Sequence, residues 1–181
     1  MRKILISTLA IVAATALVAS AGGLNVTHGG IRAGYIAPED PIDATVGFGA
    51  EVGFSITDVP NFSFALEGNY WSKSYSEEGT TWDLTFSDIN VCISGKYEFS
   101  AVSEVVHPYI GAGVGFHMVK VESEAILGSL SVTDNKFGGH AFGGFKVPVT
   151  PVVNFFAEGR YTMVDPDYLG IYGGLTYSFM K

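Results

Sequence analysis

The chain has 181 residues, of which 48 % are hydrophobic, 13 % aromatic and only 15 % charged, and 23 are glycine. A formal charge of −8 excludes nucleic acid as a partner, since phosphate binding needs clustered Lys and Arg, and a single cysteine, Cys92, excludes an intrachain disulfide. A mean hydropathy of +0.30 implies either a large core or a surface that meets lipid.

The first residues, Met1-Arg2-Lys3, are basic, Ile4–Val18 is apolar, and Ala19-Ser20-Ala21 has the small-x-small form of a cleavage site. Residues 1–21 therefore read as a secretory signal peptide and 22–181 as one mature domain. The apolar run is shorter than the ~20 residues of a spanning helix, and no later stretch is longer. No cysteine directly follows the cleavage site, where Gly22 stands, which argues against a lipid-anchored N-terminus.

Residues 22–29 carry no pattern, and alternating segments then recur at about 30–37, 43–56, 61–73, 81–99, 107–121, 131–147, 152–163 and 169–179. Each is near or above the ~9–11 residues of a tilted strand crossing a bilayer. In the second segment Ala44, Val46, Phe48, Ala50, Val52, Phe54 and Ile56 share one face, and Thr45, Gly47, Gly49, Glu51, Gly53 and Ser55 the other. The third sets Phe62, Phe64, Leu66, Gly68 and Tyr70 against Ser63, Ala65, Glu67, Asn69 and Trp71.

The fourth segment changes phase: Trp82, Leu84 and Phe86 are even-numbered, whereas Ile89, Val91, Ile93, Tyr97 and Phe99 are odd. A β-bulge near Ser87-Asp88 is the expectation. In the fifth, Ile110, Ala112, Val114, Phe116 and Met118 oppose Tyr109, Gly111, Gly113, Gly115 and His117, and the sixth has Gly139, Ala141, Gly143, Phe145 and Val147 on its apolar side. The seventh sets Val153, Phe155, Ala157, Gly159, Tyr161 and Met163 against Asn154, Phe156, Glu158, Arg160 and Thr162. The eighth opposes Ile171, Gly173, Leu175, Tyr177 and Phe179 to Tyr172, Gly174, Thr176 and Ser178.

The connections fall into two kinds. Thr57–Pro60, Ser100–Val106 and Pro148–Pro151 would lie at the end that holds both termini. Pro38–Ile42, Ser74–Thr80, Glu122–Leu130 and Val164–Tyr168 would lie at the other, carrying Glu39, Asp40, Glu77, Glu78, Glu122, Glu124, Asp165 and Asp167. The aromatics would form two girdles, with Phe54, Phe62, Tyr97, Phe99, Tyr109, Phe155, Tyr177 and Phe179 near the terminal rim and Tyr35, Tyr70, Trp82 and Tyr161 near the opposite one.

Period alone does not say whether the apolar face looks inward, as in a soluble lipocalin-like barrel, or outward to lipid. The polar face carries Arg32, Glu51, Glu67, Lys96, Glu98, Lys146, Glu158 and Arg160, with Asp88 and Asn90 near the expected bulge. These charges are few, nearly balanced and separated by Gly, Ser and Thr, whereas a solvated surface is dense in long charged side chains. A polar interior fits, with Arg160, Lys96 and Lys146 pairing with Glu158, Glu98, Glu51 and Glu67 and closing the lumen.

Tyr172-x-Gly174-x-x-Tyr177-x-Phe179 resembles the C-terminal insertion signal of bacterial outer-membrane β-barrels, although Met180 and Lys181 follow the last aromatic. With His107–Phe116 and Phe155–Tyr161, it makes the mature chain resemble the small eight-stranded outer-membrane barrels of the OmpA and OmpX type and the porin-like family around them. That resemblance implies an all-β, eight-stranded antiparallel up-and-down barrel in the bacterial outer membrane, monomeric, inserted by the β-barrel assembly machinery, with both termini in the periplasm. No peptidoglycan-binding domain follows, so cell-wall tethering does not carry over.

The expected role is non-enzymatic, structural or surface-interacting, with an extracellular ligand at the acidic loops. A narrow solute channel and a lipid-modifying enzyme are the alternatives. No catalytic residue, cofactor or metal is assigned. His117 and His140 would face each other in the lumen if the hairpin turns at Gly128-Ser129, but two histidines without a third ligand make a poor metal site. His28 and His107 read as tail and rim residues. A His117, Ser131 and Glu122 set lacks an orienting group and an oxyanion donor, and Gly111-Ala-Gly-Val-Gly115 precedes no helix, so it is not a phosphate loop.

Overall fold

The computed structural model describes residues 24–56, 59–76, 83–99, 105–125 and 128–179. The signal-peptide assignment, Trp82 and Met180-Lys181 fall outside the described residues. Eight strands follow one another: β1 (Leu24–Pro38), β2 (Thr45–Ile56), β3 (Phe62–Ser76), β4 (Asp83–Glu98), β5 (His107–Ala125), β6 (Gly128–Pro148), β7 (Val153–Met163) and β8 (Tyr168–Ser178). Each pairs antiparallel with the next and β8 returns to β1, closing the barrel. Closure leaves the ring without an unpaired strand edge.

The expected eight-stranded antiparallel barrel is borne out, with three differences in detail. β1 begins at Leu24 and not at residue 30, with His28 opposite Ser178 and Asn25 opposite Ser55. The register shift in this pairing lies at Val26/His28, while β4 passes Ser87 and Asp88 without one, pairing them with Ser72 and Trp71 on one side and Lys120 and Val119 on the other. The fifth hairpin is also longer than expected: Glu122 pairs with Ser131 and Ala125 with Gly128, so Glu122 and Glu124 belong to β5, Gly128 and Ser129 belong to β6, and the chain reverses between Ala125 and Gly128.

The phase change in β4 is a change in which face carries the apolar side chains. Tyr70, Ile89 and Met118 form an outward row across β3, β4 and β5, all exposed. The next outward row is Ser72, Ser87, Lys120 and Thr133. On the inner face Trp71, Asp88 and Val119 are buried, and the next row is Lys73, Phe86, Val121 and Val132. Below this boundary apolar side chains point out and polar ones in; above it the two swap, with no bulge.

Strand lengths explain what stands above the boundary. β7 and β8 have 11 residues each, whereas β5 has 19 and β6 has 21. β2 stops pairing β3 at Gly47–Trp71, and β7 stops pairing β6 at Met163–Gly139. The tips of β3, β4, β5 and β6 therefore continue as a four-stranded sheet beyond the closed ring.

Candidate functional site in the lumen

The middle of the lumen holds two arginines and three glutamates, all buried. β1 contributes Arg32, β2 Glu51, β3 Glu67, and β7 both Glu158 and Arg160, because residues two apart share a face. Arg160 is bidentate to Glu67, with Nη2 donating to Oε1 at 3.2 Å and Nη1 to Oε2, and its Nε donates to Glu158 Oε1 at 3.0 Å. Arg32 donates to Glu51, lies 3.3 Å from Glu67 and reaches Glu158 at 3.4 Å. Both guanidiniums lie over aromatic rings, Arg160 over Phe142 at 4.7 Å and Arg32 over Phe156 and Tyr172 at 5.9 Å each. Such fork geometry suits Arg, and multiple partners offset the desolvation of charges taken out of water.

Toward the terminal end a cavity of about 210 Å³ is lined by His28, Glu51, Lys96, Glu98, Tyr109, Lys146, Phe156 and Glu158, with Ser, Thr and Asn side chains between them. Lys146 donates to Glu98 at 2.5 Å, and Tyr109 to Glu158 at 3.1 Å. His28 Nε2 lies 3.1 Å from Glu51 Oε1 and its Nδ1 lies 2.8 Å from Thr27 Oγ1. Lys96 lies over the Tyr109 ring at 4.9 Å and, among the described residues, makes no ion pair. The expected pairing of Lys96 with a glutamate does not form. Three glutamates already converge on two arginines, and the ammonium is left facing the cavity.

Toward the opposite end the lumen holds a hydrogen-bonded group centred on Asp88 and then turns apolar. Asp88 Oδ2 accepts from His117 Nδ1 at 2.8 Å, Asn90 at 3.1 Å and Tyr168 at 3.3 Å. Above it Ile36, Ile42, Trp71, Val164, Tyr168 and Tyr172 pack together, with Phe86 against them. His140 is bonded separately to Ser94 at 2.8 Å and stacked on Phe142. The two histidines do not face each other: His117 lies opposite Lys136 and His140 opposite Gly113, because the chain reverses between Ala125 and Gly128 and not at Gly128-Ser129. Among the described residues no group of three metal-ligating side chains occurs.

Several placements depart from expectation. His28 is not in a tail but in β1, bonded to Glu51. Tyr109 leaves the terminal girdle for the lumen, where it is buried. His117, Ser131 and Glu122 are not brought together: Ser131 and Glu122 pair in the protruding hairpin, while His117 is buried on Asp88. Tyr97, Phe99, Phe155, Tyr177 and Phe179 are exposed at the terminal rim, and Tyr35, Tyr70 and Tyr161 at the other. In the terminal motif Tyr172 points inward, Tyr177 and Phe179 outward, and Gly174 lets the Phe156 ring and the Ile31 carbonyl approach where a Cβ would stand. On β5, Gly111, Gly113 and Gly115 similarly admit Phe142, His140 and Cys92. The lumen roles of Tyr109, Phe142 and Phe156 carried no sequence signal beyond their parity with charged neighbours.

The sequence matches the family described as outer membrane protein beta-barrel domain over residues 4–179. No curated protein matches it. Among solved structures, Neisserial surface protein A is similar at TM-score 0.64 and 18% identity, covering 87% of this chain and 99% of that one. A major outer membrane protein from Thermus thermophilus is similar at TM-score 0.63 and 11% identity, covering 86% and 100%. Ail, the attachment invasion locus protein of Yersinia pestis, solved with the heparin analogue sucrose octasulfate, is similar at TM-score 0.54 and 18% identity, covering 84% and 98%.

Proposed function

The chain belongs to the outer membrane protein beta-barrel domain family, and from that premise we propose that it is a non-enzymatic barrel with a closed lumen, whose task is to hold a small β-sheet outside the bacterial outer membrane. The observation that carries this reading is the filling of the interior: the Arg32, Glu51, Glu67, Glu158 and Arg160 cluster is followed by an apolar cap around Ile36, Trp71 and Tyr168. An eight-stranded interior is just wide enough for side chains to fill it. The end that carries both termini is periplasmic in this reading, the β5–β6 hairpin is outside, and the protein works as a monomer inserted by the assembly machinery that reads Tyr172, Gly174, Tyr177 and Phe179.

Conductance of the reconstituted protein tests the closed lumen. The expected record is a quiet bilayer; large, steady, weakly selective openings would overturn the reading. The cavity at the terminal end favours the alternative of a narrow channel for small solutes, and the same record decides between them. Ail's sulfated ligand does not carry over. The outer end here bears Asp43, Asp134, Asp165 and Asp167 against Lys73, Lys120 and Lys136, so a polyanion meets net negative charge.

A further inference from the structure

The cavity at the terminal end of the lumen is reached by water, unlike the packed cluster beside it. The Lys146 and Glu98 side chains on its wall are 25% and 27% exposed, against 1% and 4% for Arg32 and Arg160. Its volume of about 210 Å³ lies below the ~300–1,000 Å³ of sites for drug-sized ligands, so it admits only a small solute. Two groups on the wall have bonding capacity to spare. Lys96 Nζ rests over the Tyr109 ring and makes no ion pair among the described residues. An ionised carboxylate has about four acceptor sites, of which Lys146 takes one at Glu98 Oε2, while Glu98 Oε1 lies 3.9 Å from His107 Nδ1, beyond hydrogen-bond reach of that ring. Lys96 and Glu98 are two residues apart on β4, so they leave the same face of the strand ~6.4–6.8 Å apart. They carry opposite charges, yet they do not bond each other.

We propose that this cavity binds a small zwitterion of the α-amino acid class, with the ligand's carboxylate on Lys96 and its ammonium on Glu98. Charge selects the class. The two arginines and three glutamates of the cluster carry one negative charge in excess, Lys96 offsets it, and Lys146 and Glu98 offset each other, so these groups together are neutral. A lone anion or cation would leave a half-buried charge unbalanced, which is costly, whereas a zwitterion adds no net charge. Distance agrees: an ammonium and a carboxylate on one carbon, each adding a charge-assisted hydrogen bond of ~2.7–2.9 Å, reach across the gap between the two side chains. The hydroxyls of Thr27, Ser63 and Thr176 line the rest of the wall and favour a ligand with a short polar body over a bulky apolar one. The inference goes beyond the proposed function and relies on it only for the side from which the ligand arrives, the periplasm.

The test uses the folded full chain in non-ionic detergent, with its lysines isotope-labelled at Cε for NMR and with glycine and serine as probes at neutral pH. The Lys96 signal, identified by its loss in Lys96→Gln, should move saturably in the millimolar range. Acetate and methylammonium, which each carry half of the zwitterion, should bind at least about tenfold more weakly. Glu98→Gln, read through the Lys96 signal, and Lys96→Gln, read through the Lys146 signal, should each weaken glycine binding by about tenfold or more, while Lys96→Arg and the remote Lys136→Gln should keep it. Acetate binding as tightly as glycine would overturn the zwitterion. A Lys96 signal unmoved by about 100 mM glycine, in a sample whose unboiled mobility shows a folded barrel, would overturn the site altogether. Large, steady conductance with glycine binding intact would instead overturn the closed lumen alone.

Discussion

The same four strands obey opposite rules on either side of one row of residues. Below the row of Tyr70, Ile89 and Met118, Val91 and Ile93 point outward and Asn90 and Ser94 inward. Above it Ser72, Ser87 and Thr133 point outward, while Phe86, Val121 and Val132 point inward. No bulge separates the regions, so backbone geometry is the same in both. The difference is the solvent that the outer face meets, hydrocarbon below and water above, and side-chain polarity has followed it.

The comparison can be broken by substitution, and the largest effect lies inside the lower region. Arg160→Ala leaves Glu67 without its bidentate partner and Glu158 with one arginine fewer, which should destabilise the barrel by ~3–5 kcal/mol in urea unfolding from lipid vesicles. A loss below ~1 kcal/mol would mean that water reaches the cluster. Next come the outer faces. Ile93→Lys places a charge against hydrocarbon and should cost ~2–4 kcal/mol. Its counterpart above the boundary, Thr133→Lys, should stay within ~0.5 kcal/mol of the parent. Equal costs at the two positions would erase the boundary. The smallest effect sharpens the upper region: Val132→Ser removes an inner-face side chain that is already more than half exposed, and should shift stability by less than ~1 kcal/mol.

Strand number, order and faces were legible in the sequence because a two-residue period leaves a clear trace wherever one face is uniform, as from Ala44 to Ile56. What was not legible has physical causes. The expected bulge at Ser87-Asp88 assumed one solvent along the whole of β4, so a change of medium was mistaken for a change of backbone. The β5–β6 extension was hidden because Glu122, Glu124 and Gly128 look like loop residues, which a water-exposed hairpin tolerates in its strands. The lumen charges could be listed from parity alone, but their partners depend on shear between strands: Arg32, absent from the expected pairs, touches three glutamates, while Lys96 touches none. Tyr109 was placed at the rim because an aromatic at a strand start suits a girdle as well as a lumen wall.

Methyl resonances in lipid nanodiscs test the exchange of polarity most directly. A nitroxide-bearing lipid should broaden the methyls of Val91 and Ile93 and spare those of Leu130 and Val132, while a water-soluble gadolinium chelate should do the reverse. Val91 and Ile93 untouched by the lipid probe, or Leu130 and Val132 broadened by it, would contradict a hydrocarbon boundary at the row of Tyr70, Ile89 and Met118.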